Sequence, residues 1–599
     1  MILPLLCAAV LAAVNQLAPR WATDAMGLAC ALAVLVLCAV LAAHASHRLV
    51  YWFGGFHVRH GVAVGIAFSV DRIGAGMATL VALMVSAALL YSVRYFDEVG
   101  SLFGALMLVF LAGMVGFCLT GDLFDLFVFF EVMSVAGYAL VGYKIEEAGP
   151  LQGAINFAIT NSVGSFAMLT GIALLYGRTG ALNMAQIGAA LATHPADGLV
   201  TVALLLIMVG LLVKAAIVPW HFWLADAHAV APVPACVLFS GVMVELALYG
   251  LARVYWSVLS ASLAAHTADL RAVLIALGLL TALIGAVMCC AQRHIKRLLA
   301  FSTISHSGMF LVGLGLLTPA GLAASGEYVI EHAMLKGALF MAAGILLHRF
   351  RTVDEHELRG RGRGGDPGLR VAAAVFVLGG LGLAALPPLG VFFGKSALDG
   401  ALTPVPGYGW VVGVLVVGSA LSAGAILRVA GRVFGGWGER VPRHHEVLSA
   451  VSELPETLSP HDRTPAVMVA PPLILLIGGL VVGLFSGLRA AIAAAAAQMA
   501  DRASYVAAVL GGHAHAIPAP HTPVVTLDFL LAAATVLGAV ALAVWALAAP
   551  AVWWPLERVQ GVATAGIVVL RRLHSGCVND YIAWLVAGLA VAGAALALA

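Results

Sequence analysis

Long apolar runs alternate with short polar connections along nearly the whole chain. Sixteen runs are long enough to cross a bilayer as helices, which takes about 20 residues each. Numbered as spans 1–16, they lie near residues 1–17, 24–43, 73–92, 101–120, 123–143, 151–175, 198–220, 232–252, 272–290, 298–317, 326–348, 371–396, 407–434, 466–488, 525–548 and 580–598. A helix satisfies its own backbone hydrogen bonds, so such runs need no strand partner in lipid. The pattern predicts an all-α polytopic membrane protein with about 16 transmembrane helices.

Two of the spans carry prolines close to a lysine. Span 7 reads LLVKAAIVPWHFWLADAH, with Pro219 after Lys214, and span 12 reads LAALPPLGVFFGKSALDG, with Pro387 and Pro388 before Lys395. Because proline removes a backbone hydrogen bond, we expect helices 7 and 12 to be broken. Broken membrane helices are tolerated where they line a polar cavity, and paired interruptions point to an ion site in an inverted repeat. We therefore expect two inverted five-helix repeats, formed by helices 4–8 and 9–13.

These breaks suggest a division of the chain into five segments. They are the N-terminal transmembrane helices at 1–100, a first five-helix repeat at 101–256, a second at 257–434, a cytoplasmic loop at 435–465 and a C-terminal transmembrane extension at 466–599. The loop is rich in proline and charge, which separates it from the apolar runs on either side.

Cations are unevenly distributed between the connections. Those that follow odd-numbered spans hold 18 lysines and arginines, whereas those that follow even-numbered spans hold eight. We expect the protein to lie in the plasma membrane of the cell. The positive-inside rule then places the connections that follow odd-numbered spans in the cytoplasm. Both termini are expected on the opposite side. The first apolar run lacks a basic leader, so it is interpreted as a membrane helix rather than as a signal peptide.

Composition excludes several classes of function. Hydrophobic residues make up 62% of the 599 positions and charged residues only 10%, far below the roughly 25% of soluble domains. The net charge of +2, without a basic stripe, argues against nucleic-acid binding. The eight cysteines form no CxxC motif or Cys/His cluster, so no metal site is expected. Since no nucleotide, flavin, haem or iron–sulfur motif is present either, we expect no cofactor and no redox chemistry of the chain's own.

Lysine usage is the strongest chemical signal. Only five of the 31 cations are lysines, and three of these, Lys214, Lys336 and Lys395, fall inside apolar spans. Arginine stays protonated in proteins, whereas a buried lysine can load and release a proton. Two further arginines, Arg428 and Arg432, are expected to extend from the end of span 13 towards water.

Other ionisable residues also fall inside the spans. They are Glu131, Glu245, His306 and His332. An ionised group at the bilayer centre costs at least about 2.5–3.5 kcal/mol, so several in one chain indicate function. His332 and Lys336 are four residues apart, as are Lys395 and Asp399, so each pair shares a helix face. The alternative is that such groups only hold helices together, as in a scaffold that transports nothing.

Several stretches resemble a known family. The chain is similar, over roughly residues 65–435, to the antiporter-like proton-translocating membrane subunits of respiratory complex I, membrane-bound hydrogenases of the hydrogenase-4 and formate-hydrogenlyase type, and Mrp-type sodium/proton antiporters. The stretches that carry the resemblance are DLFDLFVFFEVMS, VKAAIVPWHFWLADAHAVAPVPACVLFSGVMVELALYG, QRHIKRLLAFSTISHSG, EHAMLKGALFMAAG and LPPLGVFFGK. The tail RRLHSGCVNDYIAWLVAG is similar to the last helix of longer members.

The resemblance implies a proton relay along the membrane midplane. Its members would be Glu131, Lys214, Glu245, His306, His332, Lys336 and Lys395. Glu131 would pair with Lys214 and tune it, and Lys395 would be the terminal cation. Glu245 stands where many relatives have lysine, so the order of charges differs here.

The function expected from these features is that of a proton-translocating subunit in a redox-driven complex of the hydrogenase or quinone-reductase type. It would work beside other membrane subunits and hydrophilic redox subunits. Alternatives are a subunit of a multisubunit sodium/proton antiporter, an offshoot coupled to inorganic carbon uptake, and a non-transporting membrane scaffold.

Overall fold

Helices dominate the fold of this protein, for which we obtained a computed structural model. The structure describes residues 1–59, 62–96, 101–193, 196–439, 463–511, 525–548, 566–570, 573, 574 and 576–598. The first eleven helices are α1 (Ile2–Ala13), α2 (Arg20–His44), α3 (Arg72–Ser92), α4 (Ser101–Leu119), α5 (Leu123–Val141), α6 (Ala148–Thr179), α7 (Met184–Leu191), α8 (Gly198–Lys214), α9 (Phe222–Val230), α10 (Val233–Leu238) and α11 (Val244–Val254).

Eleven further helices complete the described part of the chain. They are α12 (Thr267–Cys290), α13 (Ile295–Gly315), α14 (Pro319–Phe350), α15 (Pro367–Leu383), α16 (Phe392–Leu402), α17 (Val411–Val433), α18 (Ala466–Val481), α19 (Ser486–Ala500), α20 (Arg502–Leu510), α21 (Thr526–Ala548) and α22 (Val578–Leu598). A π-helical turn, Phe239–Met243, joins α10 to α11. Most of the predicted cytoplasmic loop, residues 440–462, lies outside the described residues.

The length and composition of the helices identify a polytopic membrane protein. Twelve of the described helical segments are long and apolar enough to cross a membrane. Each of the sixteen predicted spans falls on a helix, but four of these helices are shorter apolar segments: Ile2–Ala13, Gly198–Lys214, Pro367–Leu383 and Val578–Val591. Two of the four are the first halves of the spans that contain the prolines.

A small β-hairpin corrects the all-helical prediction. Strands β1 (Leu49–Trp52) and β2 (Ala67–Val70) pair antiparallel between α2 and α3, with Val50 opposite Ser69. Each strand has only four residues, too few for the alternation of apolar and polar positions to stand out in the sequence. The hairpin lies in the connection that the sequence marks as long and moderately polar.

The two predicted interruptions are present and have the same backbone pattern. Helix α8 ends at Lys214 and α9 begins at Phe222, while α15 ends at Leu383 and α16 begins at Phe392. Directly after each first half, an alanine adopts a left-handed conformation, with φ 53° at Ala216 and φ 64° at Ala385. That conformation, unusual for a residue with a Cβ, turns the chain out of the helix. Both breaks therefore leave helix ends facing the interior of the bundle.

Arginines inside the bundle are buried in ion pairs. The guanidinium of Arg253, which the sequence assigns to a connection, lies within α11 and donates to both carboxylate oxygens of Asp71 at 2.5 and 2.7 Å. Burial opposes ionisation of Asp71, but Arg253 outweighs it and holds the pKa of that carboxyl below its usual range. Arg428 and Arg432 are also buried and bind Glu355. The expectation that these two extend towards water was wrong, because an acidic partner lies within the fold.

The C-terminal helices pack against both halves of the bundle. Helices α18 and α19 lie on α14, whereas α21 lies on α17 and touches α16. Helix α22 instead contacts α6 and α8. The C-terminal segment thus covers both broken helices.

Candidate functional site

Lys214 occupies the last position of α8, at the edge of the first break, and is fully buried. Its ammonium nitrogen Nζ donates to the hydroxyl of Ser134 at 2.5 Å. Aromatic rings surround it, with Nζ 4.5 Å from the centre of the Phe130 ring and 5.4 Å from that of Phe157. Rings at these distances attract a cation through their quadrupoles. The pocket can therefore hold a protonated lysine even though it is buried.

Glu131 lies on the same helix as Ser134, three residues earlier and on the same face. It is half-buried, and its oxygen Oε1 has no hydrogen-bond partner among the described residues. The carboxylate and the Lys214 ammonium interact electrostatically. The Lys214 ammonium hydrogen-bonds Ser134 rather than Glu131, so the two charges interact without a direct hydrogen bond.

Glu245 and His332 form the centre of the site. The Glu245 carboxylate oxygen Oε1 lies 3.2 Å from Nδ1 of His332, and both side chains are completely buried. His306 follows, its ring centroid 4.9 Å from that of His332, and its Nδ1 is 2.8 Å from the hydroxyl of Tyr328. These four side chains from α11, α13 and α14 form a buried row of titratable groups, in which a hydrogen bond joins His306 to Tyr328.

Lys336 lies one helical turn beyond His332 on α14 and is fully buried. Its ammonium donates to the carbonyl oxygen of Leu299 at 3.1 Å and interacts electrostatically with Glu245. The ring of His228 stacks on Phe340, which lies one turn after Lys336 on α14. The two ring nitrogens of His228 have no hydrogen-bond partner among the described residues. A further titratable group thus lies close to Lys336.

Lys395 lies in the first turn of α16, just after the second break. Its ammonium lies 3.4 Å from the hydroxyl of Thr535, which belongs to α21 in the C-terminal segment. Asp399, one turn later, is its acidic neighbour. The adjacent Ser396 donates to the carboxylate of Asp528 at 2.7 Å. Helix α21 therefore contributes polar groups to the surroundings of the terminal lysine.

The structure brings the predicted residues together in three groups. Glu131 lies near Lys214, the middle group joins Glu245, His332, His306 and Lys336, and Lys395 lies with Asp399. Sequence reasoning missed five polar side chains in or beside these groups. Ser134, Tyr328 and Thr535 hydrogen-bond a member, His228 stacks on Phe340, and Asp528 accepts from Ser396. Their only signal in the sequence is that they are polar residues in apolar spans.

The described residues contain no group of three or more His, Cys, Asp or Glu side chains that could hold a metal ion.

Comparison with known proteins connects this arrangement to a family. The family profile for "NADH:quinone oxidoreductase/Mrp antiporter, TM" matches residues 120–422. The N subunit of the NADH-quinone oxidoreductase of Desulforudis audaxviator is 32% identical over 434 residues, which cover 70% of this chain and 82% of that protein. A subunit of the Na(+)/H(+) antiporter of Bacillus subtilis is 28% identical, over 70% of this chain and 80% of its own length.

A solved structure shows the same fold. A protein of the Mrp complex from Dietzia sp. DQ12-45-1b superposes with a TM-score of 0.72 at 26% sequence identity. The match covers 85% of this chain and 98% of the other. Nearly the whole of that protein is thus represented here.

Proposed function

Because this chain belongs to the NADH:quinone oxidoreductase/Mrp antiporter family of membrane subunits, we propose that it translocates protons as one subunit of a larger membrane complex. The observation that supports this best is the buried row from Glu245 through His332 and His306 to Tyr328. The proposed proton carriers are Glu131, Lys214, Glu245, His306, His332, Lys336 and Lys395. Ionisable groups at such depth are costly and mark ion pathways in membrane proteins.

The proposed mechanism uses charge alone. Glu131 stabilises the protonated form of Lys214, and loosening of that interaction releases the proton towards the Glu245 group. From there it passes along the histidines and Lys336 to Lys395. At an effective dielectric constant of about 20, two charges 4 Å apart interact by about 4 kcal/mol, enough to move a proton between neighbouring sites. No covalent bond other than those to the proton changes.

The proposed architecture follows the two breaks. We propose sixteen crossings, with the predicted spans 4–8 and 9–13 as inverted repeats. This arrangement would place Lys214, in span 7, and Lys395, in span 12, at equivalent interruptions. The matching backbone at Ala216 and Ala385 supports this arrangement. Under the positive-inside rule both termini would lie on the non-cytoplasmic side of the cell membrane.

The driving reaction separates two versions of the proposal. We favour a redox-driven complex of the NADH:quinone oxidoreductase or hydrogenase type, in which hydrophilic redox subunits supply the energy. The second candidate is a subunit of a multisubunit Na(+)/H(+) antiporter, which the near-complete match to the Mrp protein favours. Purification of the tagged chain in mild detergent, with mass spectrometry of its stoichiometric partners, distinguishes them. Iron–sulfur or nickel subunits support the first, and only small hydrophobic partners support the second.

Proton movement itself is tested with the purified complex in proteoliposomes. A potassium diffusion potential drives protons inwards, and an enclosed pH-sensitive dye reports them. We expect Lys214→Ala and Lys395→Ala to abolish the flux, while Lys144→Ala, at a partly exposed lysine outside the spans, leaves it unchanged. Normal flux in both buried-lysine variants, with assembly intact, would favour the scaffold.

A further inference from the structure

Two buried glutamates on α14 belong to none of the groups described above. Glu331 is 1% exposed and Glu327 is 8% exposed, and they lie one helical turn apart on the same face. In each carboxylate the oxygen Oε1 has no hydrogen-bond partner among the described residues. A buried carboxylate oxygen without a hydrogen-bond partner destabilises the fold, so its presence calls for an explanation.

Glu331 lies directly beside the second break. Its oxygen Oε2 accepts the backbone N–H of Gly394, the residue before Lys395, at 3.4 Å. This contact is with the first turn of α16, where the helix dipole favours negative charge. Glu331 also interacts electrostatically with Tyr328, the residue that hydrogen-bonds His306. The carboxylate thus lies beside the helix turn that carries Lys395 and beside the tyrosine that hydrogen-bonds His306.

A glycine beside Glu331 leaves room for its carboxylate. Gly483, between α18 and α19, approaches so closely that a Cβ at that position would collide with the free oxygen Oε1. The backbone of the C-terminal segment therefore forms one wall of the carboxylate pocket.

Arg489 of α19 provides the only cation that interacts with both carboxylates among the described residues. It is partly exposed, and its guanidinium stacks on the ring of Phe393 at 4.5 Å. Arginine keeps its proton in proteins, so it acts as a fixed positive charge rather than as a carrier.

The pair points towards one membrane face. Helix α14 begins at Pro319, and Glu327 lies about 6 Å nearer to that end than Glu331, at 1.5 Å per residue. Segment 483–492 runs beside this part of α14, with Gly483 near Glu331 and Ile492 near Gly326. Glu331 is therefore the inner member of the pair and Glu327 the outer one.

We propose that Glu331 and Glu327 form the outlet through which the proton of Lys395 reaches the membrane face beside α19, with Arg489 as the fixed counter-charge. The Lys395 ammonium gives up one proton, the Glu331 carboxylate becomes a carboxylic acid, and the proton moves on to Glu327 and then to water. Lys395 is left neutral and ready to accept the next proton. This inference rests on the relay proposed above.

The test uses the purified complex in the same proteoliposomes. We expect Glu331→Gln to reduce the flux by roughly 10²-fold, the range in which a positioned proton carrier contributes. Glu331→Asp, which still titrates, should recover part of it, and Arg489→Lys should be milder than Arg489→Gln. Asp269→Asn, at a surface residue, serves as the control and should keep the flux, whereas Asp528→Asn, on the α21 side of Lys395, tests the competing route.

Infrared difference spectra between low and high pH give a second readout that does not depend on flux. A carboxylic-acid band that disappears in Glu331→Gln while the complex stays assembled supports the outlet. If Glu331→Gln transports normally, or if Asp528→Asn alone blocks transport, the outlet is overturned and Lys395 releases its proton through α21. The relay itself fails only if Lys214→Ala also transports normally, so the two failures are distinguishable.

Discussion

The Glu245 carboxylate meets the ring of His332 at 3.2 Å, inside a bundle that buries both side chains completely. These residues are far apart in the sequence and come from different helices, α11 and α14. In the proposed relay a proton passes between this carboxylate and this ring, so the pair is a direct place to test the path.

Glu245→Gln tests this pair with little change in volume. The amide cannot take up the proton, so we expect flux through the reconstituted complex to fall by roughly 10²-fold. Glu245→Asp should retain more flux than Glu245→Gln. Equal flux in Glu245→Gln and the parent protein, measured with the enclosed pH dye, would remove Glu245 from the path.

Ser134 offers a separate test at the first break. Ser134→Ala removes the hydroxyl that accepts from Lys214, a hydrogen bond to a charged group that is worth about 1.5–3 kcal/mol. The protonated lysine is then less stable, and we expect flux to fall by about tenfold, less than in Lys214→Ala. Tyr138→Phe, at a ring 5.8 Å from Nζ, is the matched control and should transport normally. A Ser134→Ala variant that is as active as the control would contradict the role of the hydroxyl.

The sequence predicts some of these features well, for a physical reason. Lipid forces the backbone into helices, so apolar runs reveal where the helices are. The cost of burying charge makes each lysine in an apolar span conspicuous, as with Lys214 and Lys395. Prolines reveal the two breaks because they cannot continue the hydrogen-bond ladder.

Contacts between helices could not be predicted in the same way. Hydropathy says that Glu245 is buried but not that His332 faces it, since the pairing depends on how α11 and α14 pack. Glu331 directly precedes His332, yet its contact with Gly394 depends on the approach of α16. Likewise Asp71 and Arg253 form an ion pair across 182 positions, which no local pattern reveals.

The pair between Arg253 and Asp71 makes a prediction about stability. Removing one partner of a buried ion pair costs up to about 3–5 kcal/mol, so we expect Arg253→Met to lower the thermal unfolding midpoint of the purified complex, although Arg48, 3.8 Å from the Asp71 carboxylate, still neutralises part of its charge. Arg178→Met is the matched control, because its pair with Asp197 is nearly half exposed and is worth about 0–1 kcal/mol. A loss no larger than that of Arg178→Met would show that the buried pair does not stabilise the fold.

His356, in the connection between α14 and α15, predicts a dependence of stability on pH. Burial, assisted by the neighbouring Arg432 guanidinium, lowers the pKa of His356 to about 4 from its ordinary 6.5. Between those two values the unfolded chain binds the proton and the folded chain does not, so stability falls as pH falls through this window. We expect the unfolding midpoint to drop less steeply from pH 6.5 towards pH 4 in His356→Gln than in the parent protein. His266→Gln, at a half-exposed histidine, should follow the parent curve. If the unfolding midpoints of His356→Gln and of the parent protein fall in parallel with pH, His356 binds its proton equally well in the folded and the unfolded chain. The contact between Arg432 and its ring would then have no consequence for stability.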